Sequence, residues 1–363
     1  MADWLSSMQQ TFEYYIVNPN TWKDVSPLNN IKSCSISRDA EADTLGSASI
    51  GITESVGECY IRVYLVTIQN GVKEKHPLGT FLVQTPASSF DGRVRDVTMD
   101  AYTPLLELKE SCPPIGYYIP KGADIMYRAY KLMSDVNYAK PRAPVIKPTS
   151  DEVLNLDFIA DPNDTWLTFL KDLIANARFK FDLDEIGRII FTPDQDIAAL
   201  QPVWTYDDGN SSILYPDINM DHDLYGIPNV VEVVYSKGSS PVHVIVENND
   251  LGSPVSIQNR GRRITRREVD PSIMGIGPNT EPSVAEVLIR EYATRRLREL
   301  SSPEYKITYT HGYCPTRVGD CVRLNYTRAG IVGIKAKVIS QNIKCEPGCP
   351  VTETAVFTAQ LWR

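Results

Sequence analysis

Along much of the chain, apolar and polar positions alternate every second residue, the period of a strand with one buried face. Residues 44–53 (TLGSASIGIT) and 59–68 (CYIRVYLVTI) are β-branched and aromatic runs. The segment QNGVKEKHPLG, which separates the second run from TFLVQTP, carries Asn70-Gly71, a hairpin signal. FDGR then turns into VRDVTMDAY. Residues 31 to about 103 therefore read as a strand-rich meander, too polar on alternate positions for a parallel sheet buried on both faces.

Between 104 and 204 the period changes. TPLLELKESCPPIGYYIPKGADIMYRAYKLM mixes short helical patterns with a proline-rich break. Trp166, Leu167, Leu170, Leu173, Ile174 and Ala177 then recur at helical spacing behind Asp161-Pro162, with Asn163 or Asp164 as cap, and a hairpin turning at DEIG follows. This predicts a helix packed on a small hairpin. From 205 the strand pattern returns in PNVVEVVYS, PVHVIVEN, EYKITYTHGY, DCVRLNY, IKAKVISQNI and TAVFTAQLW. One helix interrupts it over 284–300, where Ser283-x-x-Glu286 has capping-box spacing. Val284, Val287, Leu288, Tyr292 and Leu297 give this helix a partly apolar side, with Arg290, Arg295, Arg296 and Arg298 on the other.

The two ends of the chain echo each other. Gly57-Glu58-Cys59-Tyr60-Ile61-Arg62 opens a strand followed by a hairpin, TFLVQTP, a turn at Gly92 and VTMDAY. Gly319-Asp320-Cys321-Val322-Arg323 opens another, followed by AKVISQNI, a turn at Gly348 and TAVFTAQL. Two β-modules of one plan account for this.

Composition narrows the function classes. The 363 residues are 42% hydrophobic and 23% charged, enough for more than one core, and the formal net charge of −8 repels a phosphate backbone. No apolar run of about 18 residues occurs and the N-terminus lacks a signal-peptide layout, so a soluble chain without a membrane anchor, folded in a reducing cytoplasm, is expected. P-loop, G-x-S-x-G and H-E-x-x-H patterns do not occur, and His76, His222, His243 and His311 stand in unrelated contexts. Asp217, Asp221, His222 and Asp223, and the DLDEIG turn at 182–187, fall short of the ligand count of a calcium loop and read as solvated loops.

Of seven cysteines, Cys314, Cys321, Cys345 and Cys349 fall near the C-terminus, where a compact β-module could gather four thiolates around zinc or an iron–sulfur cluster. Their spacing lacks paired C-x2-C knuckles. A disulfide from Cys345 to Cys349 or Cys314, and plain buried thiols, stay open beside the metal reading. The densest charge is NRGRRITRR, which places Arg260, Arg262, Arg263, Arg266 and Arg267 within nine residues of an acidic chain. Alternation splits these guanidinium groups between two faces, which argues against a single nucleic-acid stripe and for pairing with carboxylates, such as those of DAEAD (39–43) and YDDGN (206–210), across a subunit interface.

YDDGNSSILYPDINMDHDLYGIPNVVEVVYS, then LGSPVSIQNRGRRI, EYATRRLREL, CPTRVGDCVRLNY and the closing TAVFTAQLW resemble the hub proteins of bacteriophage tails. These are the baseplate hub of T-even contractile phages and the N-terminal hub part of siphophage tail-tip proteins. CSISRDAEADTLGSASI, PLGTFLVQTPASSFDG and DAYTPLLELKES are similar to the first tube domain of the same family. The resemblance implies an α+β, mainly β fold. Two tube-like β-barrels, at 1–105 and 205–363, would be joined by an α/β insertion at 106–204, the second barrel carrying an excursion near 237–280 and the flanking helix 284–300. It further implies a non-enzymatic virion protein assembled in the host cytoplasm. As a homotrimer it would close a ring of six barrels, join the tail tube or distal tail protein to a three-fold spike, fibre or tail tip, and leave a channel for DNA. No cofactor is required by this reading. The competing expectation is a tail-associated cell-wall hydrolase or a carbohydrate-binding tail module.

Overall fold

Among the described residues the strand pattern materialises as one large sheet and three small ones. A computed structural model describes residues 2–53, 56–90, 95–221, 223–236, 241–273, 275–276 and 280–362; the turn expected at Gly92, and His222, lie outside them. The first third holds β1 (Gln9–Val17), β2 (Asp24–Pro27), β3 (Ile31–Asp39), β4 (Gly46–Ile52), β5 (Cys59–Gln69), β6 (Val72–Phe90) and β7 (Arg95–Tyr102). Asn70 and Gly71, both at positive φ (51° and 77°), form the expected β5–β6 turn. Strict alternation of burial along β4 turns Ala48, Ile50 and Ile52 into a core with Ile36, Ile61, Val63, Leu65 and Met99.

Then come α1 (Leu106–Lys109), β8 (Tyr118–Ile119), α2 (Ile125–Ser134), β9 (Phe158–Ile159), α3 (Trp166–Ala175), β10 (Phe179–Leu183) and β11 (Ile189–Pro193). Helix α3 buries Trp166, Leu167, Leu170, Leu173 and Ile174 as expected, and also Phe169. Its cap is Thr165, in a reciprocal pair with Thr168, and not Asn163 or Asp164. Asp161 and Asp164 instead bond to each other's segment one turn earlier. The β10–β11 hairpin turns on Gly187 at φ +76°, where an added Cβ would lie 2.7 Å from Thr80 Cβ.

The remainder comprises β12 (Pro202–Asp207), β13 (Leu214–Met220), β14 (Val230–Tyr235), β15 (Val242–Glu247), α4 (Ile257–Arg260), β16 (Thr265–Val269), α5 (Pro282–Leu300), β17 (Glu304–Gly312), β18 (Cys321–Tyr326), β19 (Ile331–Lys344) and β20 (Pro350–Thr358). Two compact units result: Met1–Ile218 with Thr308–Ala355, and Asn219–Ile307 with Val356–Arg363.

The large sheet runs β13-β17-β20-β19-β3-β4-β7-β6-β5-β1-β2, with β18 on β19 and β12 on β18. Numbered in chain order, β1, β3, β4, β5, β6 and β7 lie in the spatial order first, fourth, fifth, sixth, third, second. The strands β12, β13, β17, β18, β19 and β20 lie in the same order. The sequence echo is thus a structural repeat of two six-stranded modules. Cys59 and Cys321 each open the fourth strand, facing Val83 and Lys337. One pairing differs: β1 meets β5 antiparallel, whereas β12 meets β18 parallel. The modules diverge most between their second and third strands, where the first has residues 40–45 and the second has 221–303.

In the second unit, β14 lies between β15, antiparallel, and β16, parallel. Ala285, Ile289, Ala293 and Leu297 of α5 pack on Val231, Val233 and Val244 of this sheet. That stripe, four residues apart at each step, departs from the expected face: Val284 and Val287 are exposed. The helix starts at Pro282 behind Glu281, without the Ser283 capping box. Proline at the first position needs no donor partner and sets φ for the first turn.

Candidate functional site

The arginine segment is built on a buried asparagine. Asn229 donates from Nδ2 to the Arg262 carbonyl at 3.0 Å, and its Oδ1 accepts the Ile264 N–H at 2.7 Å. Residues 257–260 are helical, Gly261 takes the left-handed conformation that ends the helix, and only 265–269 are strand. The five guanidinium groups therefore spread instead of alternating on one strand. Arg260 donates to the carbonyls of Ile227 (2.9 Å) and Leu224 (2.7 Å). Arg263 pairs with Glu247. Arg267 pairs with Glu232 at 2.8 Å, its direct neighbour across the parallel β14–β16 ladder. Arg267 and then His243 hold the Glu232 carboxyl below the usual range. Arg262 and Arg266 are exposed and make no ion pair among the described residues.

The acidic loops nominated as arginine partners have partners of their own. Asp43 binds Lys109 at 2.7 Å, and Asp208 accepts from the Thr327 hydroxyl at 2.8 Å. In the DLDEIG turn, Asp184 accepts the N–H groups of Ile186 and Arg188, as a turn-forming aspartate does. A cavity of about 590 Å³ beside this hairpin is lined by charges of both signs, including Arg38, Lys180, Asp182, Arg317 and Lys337. Arg317 reaches Glu185 at 3.1 Å and the Leu183 carbonyl, fastening the hairpin to the loop before β18.

The four C-terminal cysteines are parted. Cys345 and Cys349 pack with Cys34 in the first core, and Cys321 lies at the start of β18. Cys314 sits in a separate polar cluster with Tyr206, 3.1 Å from its hydroxyl. All seven cysteines are free thiols. Hydrogen bonding to Cys34, then burial, pushes the Cys345 thiol well up; burial raises Cys349 to about 12. Among the described residues no group of three or more His, Cys, Asp or Glu side chains is arranged to hold a metal ion.

The cluster around Cys314 escapes a sequence reading because its members come from β12, β17, β19, β20 and a loop. His311 and Glu353 are 3.3 Å apart and wholly buried. Glu353 also accepts from Tyr309 (2.7 Å), Thr316 (2.7 Å) and Gln341 (2.6 Å), while Tyr206 touches His311 at 3.1 Å. Cys314 Sγ lies 3.9 Å from His311 Nδ1, so cysteine, histidine and carboxylate stand in the order of a nucleophilic triad. The group is sealed, however: Cys314 is 1% exposed and His311 and Glu353 are 0%. Nδ1 is also engaged with the Gly312 carbonyl at 2.7 Å. A substrate cannot reach it, and the cluster acts as a satisfied polar core.

No protein-family model matches the chain, and no curated protein sequence does. Solved structures do match. The tail protein from Neisseria meningitidis MC58 superposes with a TM-score of 0.61 at 12% identity, over 96% of this chain and 96% of that one. The 43 kDa tail protein of prophage MuSo2 from Shewanella oneidensis superposes with a TM-score of 0.58 at 10% identity, over 96% of this chain and 98% of that one. At these identities the likeness is one of fold. The α+β, mainly β architecture expected from the resemblance to phage tail hubs is the architecture observed, and these tail proteins share it over nearly their full length.

Proposed function

We propose that this chain is a structural hub of a bacteriophage tail or baseplate, three copies of which close a ring of six β-modules between the tail tube and a three-fold spike, fibre or tip. The observation that carries the reading is the repeat: two modules in one chain have the same six-strand order. Three such chains present six similar surfaces to a six-fold tube while everything that differs between the modules, the segment 106–204 and the excursion between β13 and β17 above all, remains three-fold. The modules are the barrels of this hub, with 106–204 as the insertion between 1–105 and 205–363. The tail-protein fold supports the role, and the cysteine–histidine–carboxylate group of Cys314, His311 and Glu353 is sealed from substrate, which fits an assembly protein better than a hydrolase. A net charge of −8 suits a channel that DNA slides through without sticking.

Arg262 and Arg266, exposed beside partners already matched within the chain, are the arginines free to set register between copies. Light scattering of the purified chain, alone and with its tail tube protein, tests the hub: a trimer that binds tube protein is expected. A monomer at every concentration that ignores tube protein overturns it.

A further inference from the structure

We infer that Cys34 and Cys345 are a disulfide site: oxidation joins their sulfurs and staples β3 of the first module to β19 of the second. The inference goes beyond the hub role and concerns a single chain, so its test is separate from that of the ring.

The two cysteines are remote in sequence and opposite each other in the sheet. Residues 340–344 of β19 pair antiparallel with Ser35–Asp39 of β3, Lys344 facing Ser35. One step further sets Cys345 against Cys34, and the Cys345 N–H donates to the Cys34 carbonyl at 3.0 Å. At the far end of the same ladder, Ala40 N–H donates to the Ile339 carbonyl at 2.9 Å. Bonded positions recur every second residue, so 34 and 345 form a hydrogen-bonded pair, the kind whose Cα atoms lie about 5.5 Å apart. Disulfides span Cα separations of about 4.4–6.8 Å, so this register admits the bond without moving the strands.

Side chains directly opposite in an antiparallel pair leave the sheet on one face. Here that face is the first core: the adjacent pair on it, Ile36 and Ile343, is buried, and Cys34 and Cys345 pack beside it. The thiols already converge. Cys345 is hydrogen-bonded to Cys34, and the Tyr14 hydroxyl is hydrogen-bonded to both. Cys349 lies in the same core, beyond the turn at Gly348, and is the competing partner.

Cys34 is buried and Cys345 partly exposed, so a small oxidant meets Cys345 first. With a low-molecular-weight disulfide, RSSR, as oxidant, Cys345 loses its proton and its sulfur displaces one RS group, which leaves as RSH. The Cys34 sulfur then loses its proton and displaces the second RS group from Cys345. Two protein thiols are oxidised, one reagent S–S bond is reduced, and two RSH depart. The loop so closed runs from 34 to 345, most of the chain, and long loops restrict the unfolded state most. Under the role proposed above, the chain is assembled in a reducing cytoplasm and works outside it, where such a bond persists.

The test uses Cys112→Ser, which removes the exposed thiol. Oxidised glutathione at about pH 8 should make this chain lighter by about 2 Da and join tryptic peptide 33–38 to 345–363. The melting midpoint should rise by about 5 °C or more over the reduced chain. Adding Cys345→Ser should abolish both effects, and adding Cys349→Ala should leave both. A bond confined to 345–363, a joined peptide that survives Cys345→Ser, or a chain that keeps its thiols overturns the site. A joined chain that melts no higher than the reduced one overturns the staple. Should a substituted chain fail to fold, fragmentation of the joined wild-type peptides decides which sulfur is bonded.

Discussion

His311 and Glu353 form an ion pair 3.3 Å apart at positions with no solvent exposure, and neighbouring hydroxyl and amide groups satisfy the carboxylate on its remaining sides. Burial alone would depress the histidine, but its hydrogen bonds to Cys314 and Glu353 carry it up to about 10. Burial likewise opposes ionisation of Glu353, and His311, Tyr309 and Gln341 hold it below the usual carboxylate value. The charges are therefore both present at neutral pH. Breaking such a pair from one side leaves the other charge buried and alone, so His311→Gln or Glu353→Gln should each cost about 3–5 kcal/mol in urea unfolding. The double substitution should cost less than the sum of the two.

The same pair sets an alkaline limit. With its folded value raised above the ordinary 6.5, the His311 contribution is complete below about 6.5 and declines as pH rises toward 10. Glu353 has a lowered folded value, so its contribution is present above about 4.5 and is lost as pH falls below that. Melting midpoints of the wild type should fall between pH 7 and 10 by more than those of His311→Gln. Parallel curves would show that the imidazolium is not what titrates.

Arg62 makes the largest single demand on the first module. It is 4% exposed, donates to Thr80 Oγ1 at 2.8 Å and to the carbonyls of Trp22 and Ile186 at 3.2 Å each, and pairs with Asp24 at 2.8 Å. Arg62→Met should cost about 3–5 kcal/mol by stranding these acceptors and the Asp24 charge. It should also loosen the β10–β11 turn, read as faster amide exchange at 184–188.

Gly187 is held in the left-handed region with Thr80 against it. Gly187→Ala should lower stability by about 1–3 kcal/mol, from backbone strain and the contact together.

Charge reversal at Arg262 and Arg266 should weaken trimers and leave the stability of the monomer within about 1 kcal/mol of wild type, since neither group makes an ion pair among the described residues. The defect should shrink at high salt. Arg267→Ala, in contrast, removes an in-chain pair with Glu232 and should have little effect on the assembly equilibrium.

The period of the pattern was enough to find the β5–β6 hairpin, helix α3 and its hairpin, and the repeat opened by Cys59 and Cys321. Each is a local or self-similar feature whose signal lies within a few dozen residues. Boundaries and faces were less legible. On α5 the small residues Ala285 and Ala293 take the inner stripe because they let the helix approach the β14–β16 sheet, a preference that hydrophobicity ranks below Val284 and Val287. The arginine run read as one alternating strand because nothing in it announces that Gly261 ends a helix there.

By itself the sequence determined a mainly β chain in two echoing halves with an α/β segment between them, because strand and helix periods are written in consecutive residues. Only the tertiary structure decided which strands meet, since pairing joins residues far apart and alternation carries no partner's address. It placed β12 parallel to β18, seated β3 on β19, parted the four cysteines and gathered His311, Glu353, Gln341 and Tyr206. It also separated two arginines that look alike in the echo. Arg62 stands three residues after Cys59 and points inward, whereas Arg323 stands two after Cys321 and points out, because one step along a strand exchanges core for solvent.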